Sequence, residues 1–337
     1  MSAFATGTGL GSWPGVSARE AARVVVGELG GGLAHLVELP ARGVGADMIG
    51  RAGALLVDIA LDTAPRGYRL VARPGAVSRR AMSLLGEDTD ALEEAWELAG
   101  LRGSGHTVKV QAPGPVTLAA QVELANGHRA LTDSGAVRDL AASLAEGIKQ
   151  HQADVARRLD SPVVVQLDEP ALSSAVTGRL TGVSVLSPVS ALEESAAIAL
   201  LDDCAATIGA ELMVHSCASD VAWNVLQRSS ITAISVDCTK LDSADYDQIG
   251  MFVDAGRTVV MGLVPTLDPP RRPAVEELAA AAAAITDRIG FPRSVLAERV
   301  GISPVCGLAG ATAAWARNAV SLARKVTEGL REDPEAV

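Results

Sequence analysis

The chain has 337 residues and a formal net charge of −11, which argues against a nucleic-acid partner or an anionic membrane surface. Hydrophobic residues make up 48% of the chain and aromatic residues only 3%, so a core must be built from Ala, Val, Leu and Ile. No apolar run reaches the roughly 18 residues that span a bilayer and no basic-then-apolar leader opens the chain, so we expect a cytoplasmic protein.

Short β-branched runs alternate with longer helical patterns along the chain. In chain order, the predicted elements are a Gly-rich strand at 5–13 (ATGTGLGSW), a helix at Ser17–Leu29, strands at Leu33–Leu39 and Thr107–Gln111, a helix at Asp139–Leu159, strands at Pro162–Leu167, Glu211–His215, Ala233–Asp237 and Thr258–Val264, a helix at Val275–Ile289, a strand at Arg299–Pro304 and a helix at Ala313–Leu330. The first helix opens with Ser17 and has Glu20 three residues later, a capping-box pattern.

The predicted strands are continuous apolar runs, which is typical of strands covered on both faces. Eight strand candidates separated by helices predict an α/β fold, a (β/α)8 TIM barrel. We expect a single catalytic barrel over residues 1–331 and a polar tail at 332–337. The segment Gly43–Gly103, after the second strand, is interpreted as an excursion of that barrel. An open doubly wound sheet is the alternative, but no G-x-G-x-x-G motif follows the first strand.

Polar residues stand at the ends of these apolar strands. In a barrel the carboxyl ends of the strands meet at one mouth, where the loops carry the chemistry. Polar groups are costly there if they are buried without partners, so a whole set of them on one rim suggests a site. The set comprises Ser12, Glu38, the APGPVT turn at Ala112–Thr117, Asp168-Glu169-Pro170, His215 with Cys217, Asp237 and Cys306.

Four of these residues are typical metal ligands. His215 and Cys217 are two residues apart, so at the end of a strand they point to the same side. Asp237 ends the next strand, Cys306 follows the last, and a His, two thiolates and a carboxylate suit Zn²⁺. Taken alone, the His-x-Cys pair is more typical of ordinary residues at the end of a buried strand. The four together favour a zinc site.

The strand ends also carry motifs that occur together in one known family. They are GLGSWPG (Gly9–Gly15), APGPVT (Ala112–Thr117), QLDEPAL (Gln166–Leu172), HSC (His215–Cys217), ISVDCT (Ile234–Thr239) and SPVCGL (Ser303–Leu308). In this order they resemble the catalytic C-terminal half of cobalamin-independent methionine synthase, in the superfamily that also contains uroporphyrinogen decarboxylase. The resemblance runs from the first residues to about Leu330.

The resemblance implies a zinc-dependent methyltransferase. In that family zinc binds and activates the thiol of homocysteine, and its ligands correspond to His215, Cys217, Asp237 and Cys306. A free thiol is a poor nucleophile at neutral pH, and coordination to a metal deprotonates it. The product would be a thioether, and the methyl donor a methylfolate or a methylated corrinoid carrier.

The resemblance also implies a substrate pocket. The GSWP turn, with Gly11, Ser12 and backbone N–H groups, would hold the substrate carboxylate, and Asp168 would receive the amino group. Where the family has a second amino-binding carboxylate this chain has Arg42, and Glu38 nearby is the candidate to replace it.

Two further differences from the family pattern concern the chemistry. Asp237 stands where the family usually has Glu, and Leu267, in GLVPTLDPP, stands near the place of the family's histidine. We therefore assign no catalytic residue. The alternatives are a relative that binds a thiol or an amino acid without turnover, and a metal-free decarboxylase-like enzyme. The latter would need arginines at the mouth, and Arg42 and Arg73 are the candidates.

Overall fold

The computed structural model describes residues 2–183 and 188–336 and contains two β-sheets. The strands, in chain order, are β1 (Ala34–His35), β2 (Ala60–Ala64), β3 (Gly67–Val71), β4 (Val108–Pro113), β5 (Val122–Glu123), β6 (Val163–Asp168), β7 (Leu212–Ser216), β8 (Ala233–Asp237), β9 (Thr258–Val264) and β10 (Val300–Pro304). The main sheet is parallel, with the order β1-β4-β6-β7-β8-β9-β10, and β2-β3-β5 form a small sheet of their own.

Helices occupy the crossovers between the strands of the main sheet. They are α1 (Ala18–Leu29), α2 (Met48–Leu55), α3 (Ala76–Leu98), α4 (Pro115–Gln121), α5 (Ser134–Leu159), α6 (Leu172–Val176), α7 (Glu194–Ile208), α8 (Trp223–Arg228), α9 (Ser243–Asp254), α10 (Val275–Ile289), α11 (Ser294–Glu298) and α12 (Ala313–Glu332), with short 3-10 turns at Pro40–Arg42 and Ala130–Thr132. None of the described helices is long and apolar enough to cross a membrane.

The main sheet buries both of its faces, as the apolar strands predicted. One face packs against the helices, and the other face is concave and holds a second apolar cluster. This inner cluster consists of Phe4, Leu10, Leu33, Val164, Met213, Ala233 and Val260. Because side chains alternate along a strand, the residues two and four positions further on face the same interior. Those positions carry polar residues, namely Gln166, Asp168, His215, Ser235 and Asp237.

The predicted N-terminal strand is not a regular strand, so the closed eight-stranded barrel is found only in part. The sheet is curled and TIM-like, with seven strands. The N-terminal segment lies between its two edges, bridging Gly7 to Ile302 of β10 and Thr8 to Leu33. Its glycines explain the irregularity, because glycine weakens strand pairing and Gly11 has a φ of +112°, outside the extended region.

The other boundaries follow the sequence pattern closely. β8, β9 and α10 have the predicted bounds, and Ser17 accepts a hydrogen bond from the Glu20 N–H at the start of α1. β1 is shorter than the strand predicted at Leu33–Leu39. Beyond His35 the N–H groups of this segment donate alternately to β4 and to the N-terminal segment.

The excursion Gly43–Gly103 contains α2, β2, β3 and α3. A buried ion pair ties it to the 3-10 turn that precedes it: the Asp88 carboxylate lies 2.6 Å from the Arg42 guanidinium and also pairs with Arg51. Arg42 is therefore a structural residue of this excursion. Removing one partner of such a buried pair leaves an uncompensated charge, which is strongly destabilising.

Candidate active site

Three side chains converge at the carboxyl ends of β7 and β10. His215 lies in β7, Cys217 follows that strand directly, and Cys306 stands two residues beyond the end of β10. Their Nε2, Nδ1 or Sγ ligand atoms all lie within 4.8 Å of one another, and the two sulfurs are 3.3 Å apart. The convergence follows from the parallel sheet, which brings the ends of its strands to one edge.

The imidazole of His215 is held by one nitrogen and free at the other. Nδ1 lies 3.2 Å from the Ser235 hydroxyl of β8, the residue that pairs with His215 in the sheet. Nε2 is buried and has no hydrogen-bond partner among the described residues. A buried unpaired nitrogen is costly unless something binds it, and metal-ligating histidines typically fix their ring through the other nitrogen. The geometry therefore suits a metal.

The electrostatics of the two thiols point the same way. The neighbouring Cys217 thiol and His215 imidazole lower the pKa of the Cys306 thiol well below its ordinary value. The contact with Cys306, together with burial, raises the pKa of Cys217. One sulfur is thus already favoured as a thiolate, which is the form that binds zinc.

Asp237 lies at the end of β8 but does not join this cluster. Its carboxylate accepts hydrogen bonds from the Thr239 N–H at 3.0 Å and hydroxyl at 2.5 Å, and pairs with Lys240 Nζ at 3.0 Å. Lys240 also donates to the Cys217 carbonyl at 3.0 Å, so the loop after β8 is tied to the loop after β7. Both carboxylate oxygens of Asp237 are engaged locally, and its role as a ligand stays a prediction.

The cluster opens into a cavity of about 290 Å³. Ser12, Glu38 and Asp168, three of the predicted substrate-binding residues, line it together with the three metal-ligand candidates. Its remaining walls are mostly apolar and consist of Leu10, Pro40, Ala46, Met48, Pro170 and Gly307. The cavity therefore combines three metal-ligand candidates with two carboxylates and a hydroxyl group.

The turn that carries Ser12 is clamped between two neighbouring segments. The Leu308 N–H donates to the Ser12 carbonyl at 3.0 Å, and the Trp13 N–H donates to the Glu38 carbonyl at 2.8 Å. Gly307 must be glycine for this approach, since a Cβ there would lie 2.0 Å from the Ser12 hydroxyl. Gly11 lies beneath the turn, where a Cβ would be 2.8 Å from the Gln111 side chain.

Two carboxylates face the cavity. Glu38 accepts a hydrogen bond from Gln111 Nε2 at 3.1 Å and lies 3.6 Å from Arg51, and burial raises its pKa to about 7. Asp168 accepts from Gln166 Nε2 at 2.7 Å, and burial raises its pKa against the opposing effect of nearby His215. Buried carboxylates of this kind are stabilised by a cationic partner.

Comparison with known proteins settles the family. A family model described as "Cobalamin-independent synthase, Catalytic domain" matches residues 4–329. The chain belongs to the cobalamin-independent methionine synthase family. No curated protein matches it in sequence.

Solved structures show the fold of this methionine synthase-like domain. A B12-independent methionine synthase from Shewanella sp. W3-18-1, in complex with selenomethionine, is similar with a TM-score of 0.61 and 14% identity, over 99% of this chain and 100% of that one. A proposed vitamin-B12 independent methionine synthase from Listeria monocytogenes is similar with a TM-score of 0.54 and 13% identity, over 96% of each chain.

Other strand-end residues of the domain serve the scaffold. Asp168 does not cap the nearest helix, α6, which begins at Leu172 without a side-chain cap. Its neighbour Glu169 is the capping residue instead. The buried Glu169 carboxylate accepts from the N–H groups of Val116 and Thr117 at 2.9 and 2.8 Å, at the start of α4. The APGPVT turn is thus part of the scaffold.

Leu267 and the arginines considered for a decarboxylase site lie outside the cavity. Leu267, near the place of the family's histidine, is 60% exposed. Arg42 pairs with Asp88, Arg73 is exposed, and no arginine lines the cavity in the described part of the chain.

Sequence reasoning missed the polar layer beneath the cavity. Lys109, Gln111 and Gln166 lie on the inner face of β4 and β6 and are almost fully buried. The signal was present in the sequence, because Lys109 and Gln111 interrupt an otherwise apolar strand at a spacing of two.

Proposed function

We propose that this protein is a zinc-dependent methyltransferase that methylates a small thiol, homocysteine, to a thioether. The observation that carries the proposal is one cavity shared by the His215, Cys217 and Cys306 cluster and by the carboxylates of Glu38 and Asp168. Homocysteine carries a thiol at one end and an ammonium and a carboxylate at the other. The cavity offers a complementary group to each of them.

His215, Cys217 and Cys306 would hold the zinc, with Asp237 as the proposed fourth ligand. Two sulfurs and a nitrogen are a donor set that zinc favours. When bound, zinc supplies a Lewis acid that lowers the pKa of a coordinated thiol and keeps it a nucleophile at neutral pH. Asp237 would have to exchange its contacts with Thr239 and Lys240 to take part.

The rest of the cavity would bind and orient the substrate. Asp168 and Glu38 would receive the ammonium, and Ser12 with the backbone of its turn would hold the carboxylate. The sulfur then forms its bond to the methyl group as the bond between that methyl and its donor breaks. Apolar walls, such as Pro40, Met48 and Pro170, exclude water around the sulfur. The donor is a methylfolate or a methylated corrinoid.

The state of the cysteines supports a cytoplasmic location. All four cysteines are free, which is in keeping with a reducing compartment.

A decarboxylase-like enzyme would need cationic side chains on the cavity wall, and none lies there in the described part of the chain. A relative that binds homocysteine without turnover would have the same site. An assay of thioether formation from homocysteine with both donor classes, followed by mass spectrometry, separates such a relative from an enzyme and tests the proposal directly.

Changing Asp168 to asparagine should weaken homocysteine binding while leaving zinc in place. The asparagine oxygen can still accept from Gln166, but an uncharged amide replaces the carboxylate that faces the ammonium. Loss of a hydrogen bond to a charged group costs about 1.5–3 kcal/mol, roughly 10- to 150-fold in affinity. Calorimetric titration and metal analysis measure both quantities. Asp133→Asn, which alters the N-cap of α5 and does not line the cavity, is the matched control. Unchanged affinity in Asp168→Asn would remove Asp168 from the substrate site.

A further inference from the structure

Lys109 is a fully buried lysine beneath the cavity that plays no part in the chemistry described so far. It lies in β4 on the inner face of the sheet, and its side chain does not line the cavity. Lysine is almost never fully buried without a partner. Burial lowers its pKa, against the opposing effect of the carboxylates of Asp168 and Glu38. The cost of burying this amine calls for a role.

Its hydrogen bonds show what it organises. Nζ donates to the Gly9 carbonyl at 2.6 Å and to Oε1 of Gln166. Because a lysine ammonium only donates, it holds the oxygen end of the Gln166 amide toward itself. The amide nitrogen of Gln166 must then point the other way. There it donates to Asp168 Oδ1 at 2.7 Å and to the Leu10 carbonyl at 3.0 Å.

We propose that Lys109 is a positioning residue for recognition of the substrate's amino group. Through Gln166 it fixes one oxygen of the Asp168 carboxylate, so that the other is presented to the cavity. This inference rests on the proposed function, in which Asp168 binds the ammonium of an amino-acid thiol.

A positioning role and a purely structural role predict different losses. If Lys109 only supports the fold, its removal weakens every ligand and the metal site together. If it acts through Gln166 and Asp168, its removal affects only ligands with an amino group. Mercaptobutyrate, which is homocysteine without its amino group, separates the two cases.

The test is the ratio of affinities for homocysteine and mercaptobutyrate, measured on the zinc-loaded full chain by calorimetry. In the native protein homocysteine should bind more tightly. In Lys109→Met, which keeps the length of the side chain but removes its donors, this preference should fall roughly tenfold or more, as for a lost charge-assisted hydrogen bond. Zinc content and mercaptobutyrate affinity should stay unchanged. Thr258→Val, which alters another buried polar side chain of the sheet, is the control and should keep the preference.

A second variant guards against misfolding. Gln166→Glu keeps an oxygen toward Lys109 but replaces the amide donor to Asp168 with a second acceptor, so it should lose the same preference. A retained preference in either folded variant overturns the inference, as does joint loss of zinc and of both ligands. Equal affinities in the native protein would instead show that Asp168 binds no ammonium, and the proposed substrate would fail together with this inference.

Discussion

Replacing Cys306 by serine should empty the metal site and abolish methyl transfer. A serine hydroxyl stays protonated near neutral pH and is a poor ligand for zinc, whereas the Cys306 thiol is already biased toward the thiolate. We expect zinc to fall from about one ion per chain to near zero by atomic absorption, and thioether formation to fall to the background rate. The fold should survive, because the cluster lies at the rim of the sheet and not in its apolar core.

Cys204→Ser provides the matched control. Cys204 is buried in α7 and stands outside the metal-ligand cluster, so the same chemical change there should leave zinc and activity in place. Stoichiometric zinc in Cys306→Ser would remove that residue from the site. Equal zinc loss in both variants would show that the loss follows from damage to the fold and not from removal of a zinc ligand.

A methylated corrinoid should be a better donor than methyltetrahydrofolate. The nitrogen of the folate must be protonated as it leaves, whereas the cobalt(I) corrinoid needs no proton. Leu267 stands near the place of the family's histidine, and neighbouring Asp268 is engaged with the N–H and hydroxyl of Thr312. Loss of a general acid typically costs about 10²- to 10⁴-fold in rate.

The two donors are compared by their rate enhancements over the same reaction without protein, because corrinoids methylate thiols spontaneously. We expect the rate enhancement for the folate donor to be about 10²- to 10⁴-fold lower than that for the corrinoid donor. Equal enhancements would contradict the prediction. They would identify another proton donor in the cavity, with Glu38, whose pKa lies near 7, as the first to replace.

The sequence predicted those parts of the molecule that depend on strand direction and apolar pattern. β8 and β9 have the predicted bounds because they are short, largely apolar runs between turns. His215, Cys217 and Cys306 meet because parallel strands place their carboxyl ends on one edge. These relationships hold whatever the neighbouring side chains do.

Features that depend on one particular neighbouring group could not be predicted from the apolar pattern of the sequence. Asp237 ends a strand as predicted, but its carboxylate engages Lys240 and Thr239 within its own loop. The predicted N-terminal strand does not form as a regular strand, because Gly11 adopts a backbone angle that ends regular pairing. Lys109 was overlooked because a lysine inside a sheet contradicts the usual preference of that residue for solvent.

The central claim is that zinc held by His215, Cys217 and Cys306 binds the substrate thiol directly. X-ray absorption at the zinc edge of the purified protein, with and without homocysteine, tests it most directly. We predict two sulfur neighbours at about 2.3 Å without substrate and three with it. A sulfur count unchanged by homocysteine, or a zinc ion with no sulfur neighbours, would contradict the account.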